Sequence, residues 1–291
     1  MIIRQLQDTS ADAAAVEAVS RAAFRDLAGR EDGSPPDPDR RTRELARTVH
    51  AIRHDQPGCW VAEEDGETLG VALSLRREGL WLLSLFAVLP KAQGRGIGRL
   101  LLERAGTYGR GCLRGMLYAS ASPAAAARRY RRAGFTLHPA MRLTGRVDRA
   151  GLLDPGDIPV HPGNRTHLHL LDSVDRRARG AAHGVDHGFM LAHYDELLIA
   201  DTLAGSGYCY RDGGTVKLLA ATSKRIGTRL LREALARTPD GTEVLVEGLT
   251  AEQEWAVDVG MELGLSLSTE GYLAVRGMRP PATYVPNPAF L

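Results

Sequence analysis

Polar and apolar residues alternate with two periods along the first half of the chain. Over residues 12–28, Val16, Val19, Ala23 and Leu27 recur at helical spacing, which predicts a helix after a short opening strand. A loop of four acids and three prolines (29–41) leads to a second predicted helix over 42–54. The period then drops to two. "CWVAEEDGETLGVALSLRR" reads as two strands joined at Asp65-Gly66, a dipeptide suited to a tight hairpin turn. "LWLLSLFAVLP" is almost wholly apolar, which predicts a strand covered on both faces and ended by Pro90. A helix with Ile97, Leu100, Leu101 and Ala105 on one face comes next. It is followed by the strand "CLRGMLYAS", the helix "PAAAARRYRRAGF" with proline in its first turn, and a closing hairpin in "TLHPAMRLTGRV".

Residues 148–165 have the turn composition of a linker, and beyond them the order of elements repeats. "THLHLLD" reads as a strand, "SVDRRARGAAHGVDHGFMLAHYDELL" as helical, "GYCYRDGGTVKLLAA" as a hairpin and "IGTRLLREALART" as a helix. "EVLVEGL" then reads as a strand, "TAEQEWAVDVGMELG" as a helix and "LSLSTEGYLAVRGM" as a closing hairpin. A chain of 291 residues has room for two domains of ordinary size, and an internal duplication accounts for the repeat better than one large domain does. The expected organisation is a first domain at 1–148, a linker at 149–165, a second domain at 166–279 and an extended tail at 280–291. The four prolines around that tail should carry it over a surface.

Composition narrows the picture. No apolar run is long enough to span a membrane, and the opening "MIIRQLQDTSADAAAVEAV" carries acids, unlike a signal peptide, so a cytoplasmic protein with no membrane partner is expected. Cys59, Cys112 and Cys209 are odd in number and widely spaced, which indicates neither a disulfide framework nor a zinc knuckle. The formal net charge is only +2, yet residues 91–132 hold ten Lys or Arg against one acid, Glu103. Such a field suits a phosphorylated cofactor or a nucleic acid. The segment lacks interleaved aromatics, and no C2H2 or RNP motif occurs, so nucleic acid is not the expected partner.

Gly94, Gly96 and Gly98 stand just after the buried strand and at the start of a helix, where backbone N–H groups and the helix dipole bind phosphate. A G-x-G-x-G run serves many folds. A dinucleotide-binding reading fails on order, because this turn follows the fourth strand of its unit and no βαβ start or ribose-binding acid accompanies it. A P-loop reading fails because no G-K-[ST] follows.

"LFAVLPKAQGRGIGRLLLER" resembles motif A of the GNAT superfamily of acyl-CoA-dependent N-acetyltransferases, whose signature Q/R-x-x-G-x-G/A is matched by Gln93, Gly96 and Gly98. The resemblance covers residues 1–147 in element order. A second family motif, N-x-x-A-x-x-x-Y-x-x-x-G-F, is matched by Ala126, Tyr130, Gly134 and Phe135, with Pro123 in place of the asparagine. It implies an α/β (α+β) fold class, with two tandem GNAT folds, each a mixed, mostly antiparallel twisted sheet flanked by helices. It also implies acetyl-CoA as co-substrate. The backbone N–H groups of Gln93, Gly94, Arg95, Gly96, Ile97 and Gly98 would hold its pyrophosphate, with added charge from Arg95 and Arg99. Arg128 or Arg129 would reach the 3′-phosphate, Ala126 counts with the cofactor contacts, and Phe86, Ala87 and Val88 would pair with the pantetheine arm as an extra strand. Arg131 and Arg132 read as a solvated helix face.

By the same resemblance Tyr130 is the general acid that protonates the leaving thiolate, and the Val88 N–H polarises the thioester oxygen. Tyr130 also reads as an aromatic closing the core beside Gly134. The base is less defined. The strand over 80–89 contains no acid, and Leu82 sits where one is expected. Glu63 and Glu64 on the neighbouring hairpin are substitutes, each also readable as a solvated strand residue, and alternation sends only one of them toward the cleft. Water serves if the amine's pKa is low. Glu31, Asp32, Asp37 and Asp39 lie in the loop that borders the acceptor site in this family, where they either attract a cationic amine or solubilise a loop. The expected activity is transfer of an acetyl group to a primary amine of a small molecule. A non-catalytic acyl-CoA sensor is the alternative, and an oligomer is left open.

The second copy departs from this pattern. Aligning "GIGRLLLERA" with "RIGTRLLREA" sets Gly96 against Arg225, Gln93 against Thr222 and Gly98 against Gly227, and the later helix sets Gly260 against Tyr130. A degenerate GNAT domain without cradle or acid is expected. Six of the nine histidines lie within residues 161–193. His183 and His187 have the i, i+4 spacing of a metal-binding helix face, but Gly184 and Gly188 argue against a regular helix and no third ligand is evident, so no metal is expected.

Overall fold

The computed structural model describes residues 1–27, 38–119, 124–152 and 157–291. Glu31, Asp32, Asp37 and Pro123 lie outside these residues. Two compact units divide the chain, Met1–Leu117 with Ala121–Gly134, and Tyr118–Ser120 with Phe135–Leu291.

In the first unit β1 (Ile2–Gln5), β2 (Cys59–Glu64), β3 (Glu67–Arg77) and β4 (Leu80–Val88) pair in succession as antiparallel neighbours, and β4 pairs in parallel with β5 (Arg114–Ala119). Helices α1 (Ser10–Leu27), α2 (Pro38–Asp55), α3 (Ile97–Tyr108) and α4 (Ala124–Arg132) complete it. Asp65 (φ 51°) and Gly66 (φ 80°) both take the left-handed conformation that a two-residue hairpin requires. Val71, Leu73, Leu75, Leu80 and Leu82 are buried, and α1 turns Ala13, Val16, Val19 and Ala23 into the same core. One buried carboxylate ties three elements together. Asp55 accepts from Arg77 Nη1 at 2.9 and 3.0 Å, from Tyr108 Oη at 2.9 Å and from the Arg76 N–H at 2.9 Å.

The second unit contains β6 (Thr136–Gly145), β7 (His161–Pro162), α5 (Leu168–Ala178), α6 (Val185–His193), β8 (Glu196–Thr202), β9 (Gly205–Asp212), β10 (Thr215–Ala221), α7 (Lys224–Ala236), β11 (Val244–Leu249), α8 (Glu254–Glu262), β12 (Ser266–Arg276) and β13 (Tyr284–Val285). Its sheet runs β12-β6-β11-β10-β9-β8-β7, with β13 paired to β10.

Several expectations change here. The hairpins read in 136–147 and 265–278 are single strands, β6 and β12, that pair with each other from Thr136↔Val275 to Thr144↔Ser266. Gly271 (φ 57°) sits in a β-bulge between Thr269 and Tyr272, and no left-handed residue interrupts β6 before Gly145. Because β6 forms its ladders with β11 and β12, the division of the chain falls after Gly134, ahead of the boundary expected at 148.

"THLHLLD" is not a strand. Asn164 accepts from the Thr166 N–H and starts a turn that runs into α5, whose Leu171 and Val174 are buried at helical spacing. Gly188 lies inside a regular α6, while Gly184 is its N-cap. The tail over 280–291 does not lie on a surface. Tyr284, Val285, Phe290 and Leu291 are at most 1% exposed, and β13 pairs antiparallel with β10.

Candidate active site

The glycine turn lies between the end of β4 and the start of α3. Gly94 (φ 80°) and Gly96 (φ 85°) are left-handed, and a Cβ on either would meet nothing within 4 Å, so they are required by conformation and face open space. Gly98 has a different role. A Cβ there would stand 3.1 Å from Phe86 Cζ and 3.6 Å from Val88 Cγ2, so glycine lets α3 approach β4. Gly96 caps α3 without any side-chain acceptor, which leaves the first N–H groups of the helix without a side-chain cap. Gln93 donates from Nε2 to the Val88 carbonyl at 3.2 Å and its own N–H is taken by Pro90 O, so it braces the turn and its N–H is already committed.

β4 pairs with β5 only over Leu80↔Arg114 to Leu83↔Leu117. From residue 84 on, β4 has no further ladder partner on that side among the described residues. The Leu89 N–H donates to Leu69 O on the β3 side, and alternation therefore turns the N–H of Val88 into the gap, along with the backbone groups of Phe86. Ala87 is buried, while Phe86 and Val88 are half-buried on the opposite face.

Tyr130 is 5% exposed and meets Phe86 edge-on, with ring centroids 6.2 Å apart. Arg129 Nε lies 3.9 Å from the Cβ position of Gly98, and Arg128 is exposed, so Arg129 is the cation of α4 beside the glycine turn. Ala126 is half-buried on the same helix. Arg95 pairs with Glu64 at 2.6 Å and Arg99 with Glu103 at 3.3 Å, both on the surface, where such pairs hold weakly. The two carboxylates proposed as bases are both ion-paired. Glu63 takes Arg4 at 2.5 and 3.0 Å, and the Arg95 hydrogen bond holds the Glu64 carboxyl below its ordinary range, which makes it a weaker base. Among the acids of the loop, Asp39 falls in the first turn of α2. A carboxylate that the sequence reading passed over is Glu17 on α1, 4% exposed and paired with Arg21 at 3.4 Å and Arg41 at 3.8 Å. Its signal was an acid inside the apolar run "AAAVEAV".

The second unit closes the equivalent features. Where Leu89 to Gly96 separate β4 from α3, only Thr222 and Ser223 separate β10 from α7. Ser223 Oγ accepts from the Ile226 N–H at 3.3 Å and so caps that helix itself. Arg225 is turned outward to Asp157. Beyond a single parallel pair with β11, Thr215↔Leu245, β10 is occupied by β13 through Leu219↔Val285 and Ala220↔Tyr284. Gln253 and Trp255 fix that strand by donating to the carbonyls of Pro281 (2.5 Å), Tyr284 (3.0 Å) and Ala282 (2.8 Å).

The histidines of this unit form a buried knot. Asp175, His183 and His187 are 0% exposed. Asp175 Oδ2 accepts from His183 Nδ1 (2.7 Å), His187 Nε2 (3.0 Å) and the His183 N–H (3.1 Å), and its Oδ1 accepts from Tyr208 Oη. The other ring nitrogens meet Tyr284 Oη and Tyr210 Oη, each at 3.2 Å. Burial, aided by the Arg179 charge, pushes His183 down to about 4 from an ordinary 6.5. Unfolding restores the ordinary value, so between those two pH values the unfolded chain binds the extra proton and stability falls as pH drops. One such group gives a slope of at most about 1.4 kcal/mol per pH unit. Denaturation midpoints at pH 7, 6 and 5 should therefore decrease in that order, and a flat or rising series would contradict the assignment.

Residues 55–137 match the family model described as acetyltransferase (GNAT) domain. No curated protein matches the chain significantly. Among solved structures, the chain is similar over 99% of its length to 94% of a candidate acetyltransferase from Pyrococcus horikoshii, at 17% identity and TM-score 0.76. It is similar over 96% of its length to 99% of a tandem GNAT protein from the clavulanic acid biosynthesis pathway (14%, TM-score 0.57), and over 94% to 95% of a GCN5-related N-acetyltransferase from Sphaerobacter thermophilus (15%, TM-score 0.56). Over residues 55–137, within the first unit, the chain is similar to a GNAT acetyltransferase domain. Its fold matches that of tandem GNAT proteins over nearly its whole length.

Proposed function

We propose that the first unit binds acetyl-CoA and transfers its acetyl group directly to the primary amine of a small molecule, with Tyr130 as the acid. The observation that carries this reading is the conjunction of an uncapped α3 N-terminus behind left-handed glycines with an open edge of β4 and a buried tyrosine on α4. The acetyl thioester supplies the acyl group. The N–H groups of the 94–98 turn and of the start of α3 hold the pyrophosphate, the Gln93 N–H being committed to Pro90, and Arg129 adds charge beside them. The Phe86 and Val88 backbone groups in the gap take the pantetheine arm as a strand takes its neighbour, and the Val88 N–H is aimed where the carbonyl oxygen gains charge. Tyr130 gives its proton to the departing sulfur. With Glu63 and Glu64 in ion pairs, the amine loses its proton to water or arrives neutral.

The second unit holds no acyl-CoA in this reading. Its helix is capped by Ser223 and the strand gap beside β10 is filled by β13. The test is thiol release from acetyl-CoA across a panel of amines. Amine-dependent release is expected for at least one small molecule. Tight acetyl-CoA binding with no release for any amine would replace the transferase reading with a sensor.

A further inference from the structure

We propose that Asp175, His183 and His187 bind a divalent transition metal, zinc by the character of the donors. Oδ2 of Asp175, one ring nitrogen of each histidine and no water-facing atom make up the cluster, and the three donor atoms lie within 4.8 Å of one another. Two imidazoles and a backbone N–H all crowd on the same carboxylate oxygen, while the other oxygen takes one tyrosine. The three ligand atoms lie near enough to one another for a single ion to displace the hydrogen bonds and sit among them. The backbone is shaped for it. Gly184 (φ 59°, ψ −115°) turns the chain between the two histidines in a conformation that favours glycine, and its N–H is held by Asp172 Oδ1 at 3.0 Å. His183 and His187 thereby reach the same carboxylate, one from before α6 and one from its first turn.

Two histidines and one carboxylate make a three-ligand set of the kind zinc accepts, and Tyr208 Oη, hydrogen-bonded to Asp175 Oδ1, orients that carboxylate from outside it. The separations of 2.7 and 3.0 Å are shorter than the edge of about 3.3 Å in a tetrahedron with bonds of about 2.0 Å, so binding must part the donors, His183 Nδ1 the most. The surroundings suit both ring tautomers. Metal on His183 Nδ1 and His187 Nε2 moves each ring proton to the far nitrogen, and the partners there are the Tyr284 and Tyr210 hydroxyls, which accept as readily as they donate. Arg179, the nearby cation, directs its guanidinium to the main-chain oxygens of Ala181, Phe290 and Leu291. Because every ligand is fully buried, the metal enters as the unit folds.

The full chain, expressed with zinc in the medium and dialysed in its native state against a chelator, is expected to retain about one zinc per chain by elemental mass spectrometry. After unfolding in guanidinium with chelator and refolding, its thermal midpoint should fall, and one equivalent of zinc should restore it. His187→Gln keeps a donor for Asp175 and should lose the metal, whereas Tyr284→Phe should keep it. The refolding comparison uses the wild-type chain and decides the matter even where a variant does not fold. A native preparation with well under one metal per chain, whose midpoint is indifferent to chelator and to zinc on refolding, would overturn the site and leave the knot as hydrogen bonds alone.

Discussion

Tyr130→Phe is expected to lower kcat by about two to three orders of magnitude while the KM for acetyl-CoA stays within about twofold. The substitution removes one oxygen and nothing else. The ring, its burial and its edge contact with Phe86 remain, so the fold is retained and the change isolates the proton. A thiolate that leaves without a donor carries its charge unneutralised, and that cost appears only as the bond breaks, hence in kcat. If Tyr130 serves only to close the core beside Gly134, the Phe variant will match the wild type in steady-state kinetics.

Gly96→Val is expected to weaken acetyl-CoA binding at least tenfold, which corresponds to about 1.4 kcal/mol. At φ 85° a β-branched residue is strained by roughly 1–2 kcal/mol, and the turn relieves that strain by leaving the shape that aims its N–H groups at phosphate. The added side chain also projects into the open space before the turn, since no protein atom lies within 4 Å of that Cβ position. The natural counterpart is Arg225, two residues after the Ser223 cap of α7 in the second unit. Arg225→Gly should leave acetyl-CoA affinity unchanged, because it only removes an exposed pair with Asp157 from a helix already capped by Ser223. Equilibrium titration of the two variants separates these outcomes.

Local signals account for what was legible in the sequence. The Asp65-Gly66 turn, the unbroken apolar run of β4 and the glycines before α3 all follow from residues close in sequence, and these elements form as that pattern indicated. The misreadings share one cause, pairing between distant segments. β6 and β12 each carry enough alternation for a hairpin, yet each finds its partner more than a hundred residues away. No local rule distinguishes those choices. The tail was read as solvated because its prolines lack donors, but the intervening Thr283, Tyr284 and Val285 supply the strand that fills the gap beside β10.

The histidine pair was visible and its third partner was not. Asp175 lies eight residues before His183, on a helix whose start had been read as a strand, so the face it shares with the histidines could not be drawn. The three glycines of the cradle likewise looked equivalent. Their separation into two that set backbone conformation and one that permits helix–strand contact needs the φ values and the position of Phe86. For the base, alternation along β2 could not foresee that Arg4 and Arg95 would claim both Glu63 and Glu64.

The central claim is that the first unit, and not the second, is the acyl-CoA site. Amide hydrogen exchange with and without saturating acetyl-CoA tests it directly. Slowed exchange is predicted at residues 86–88 and 93–100, with residues 219–227 unchanged. Protection confined to 219–227, with 86–100 indifferent to the ligand, would contradict the account.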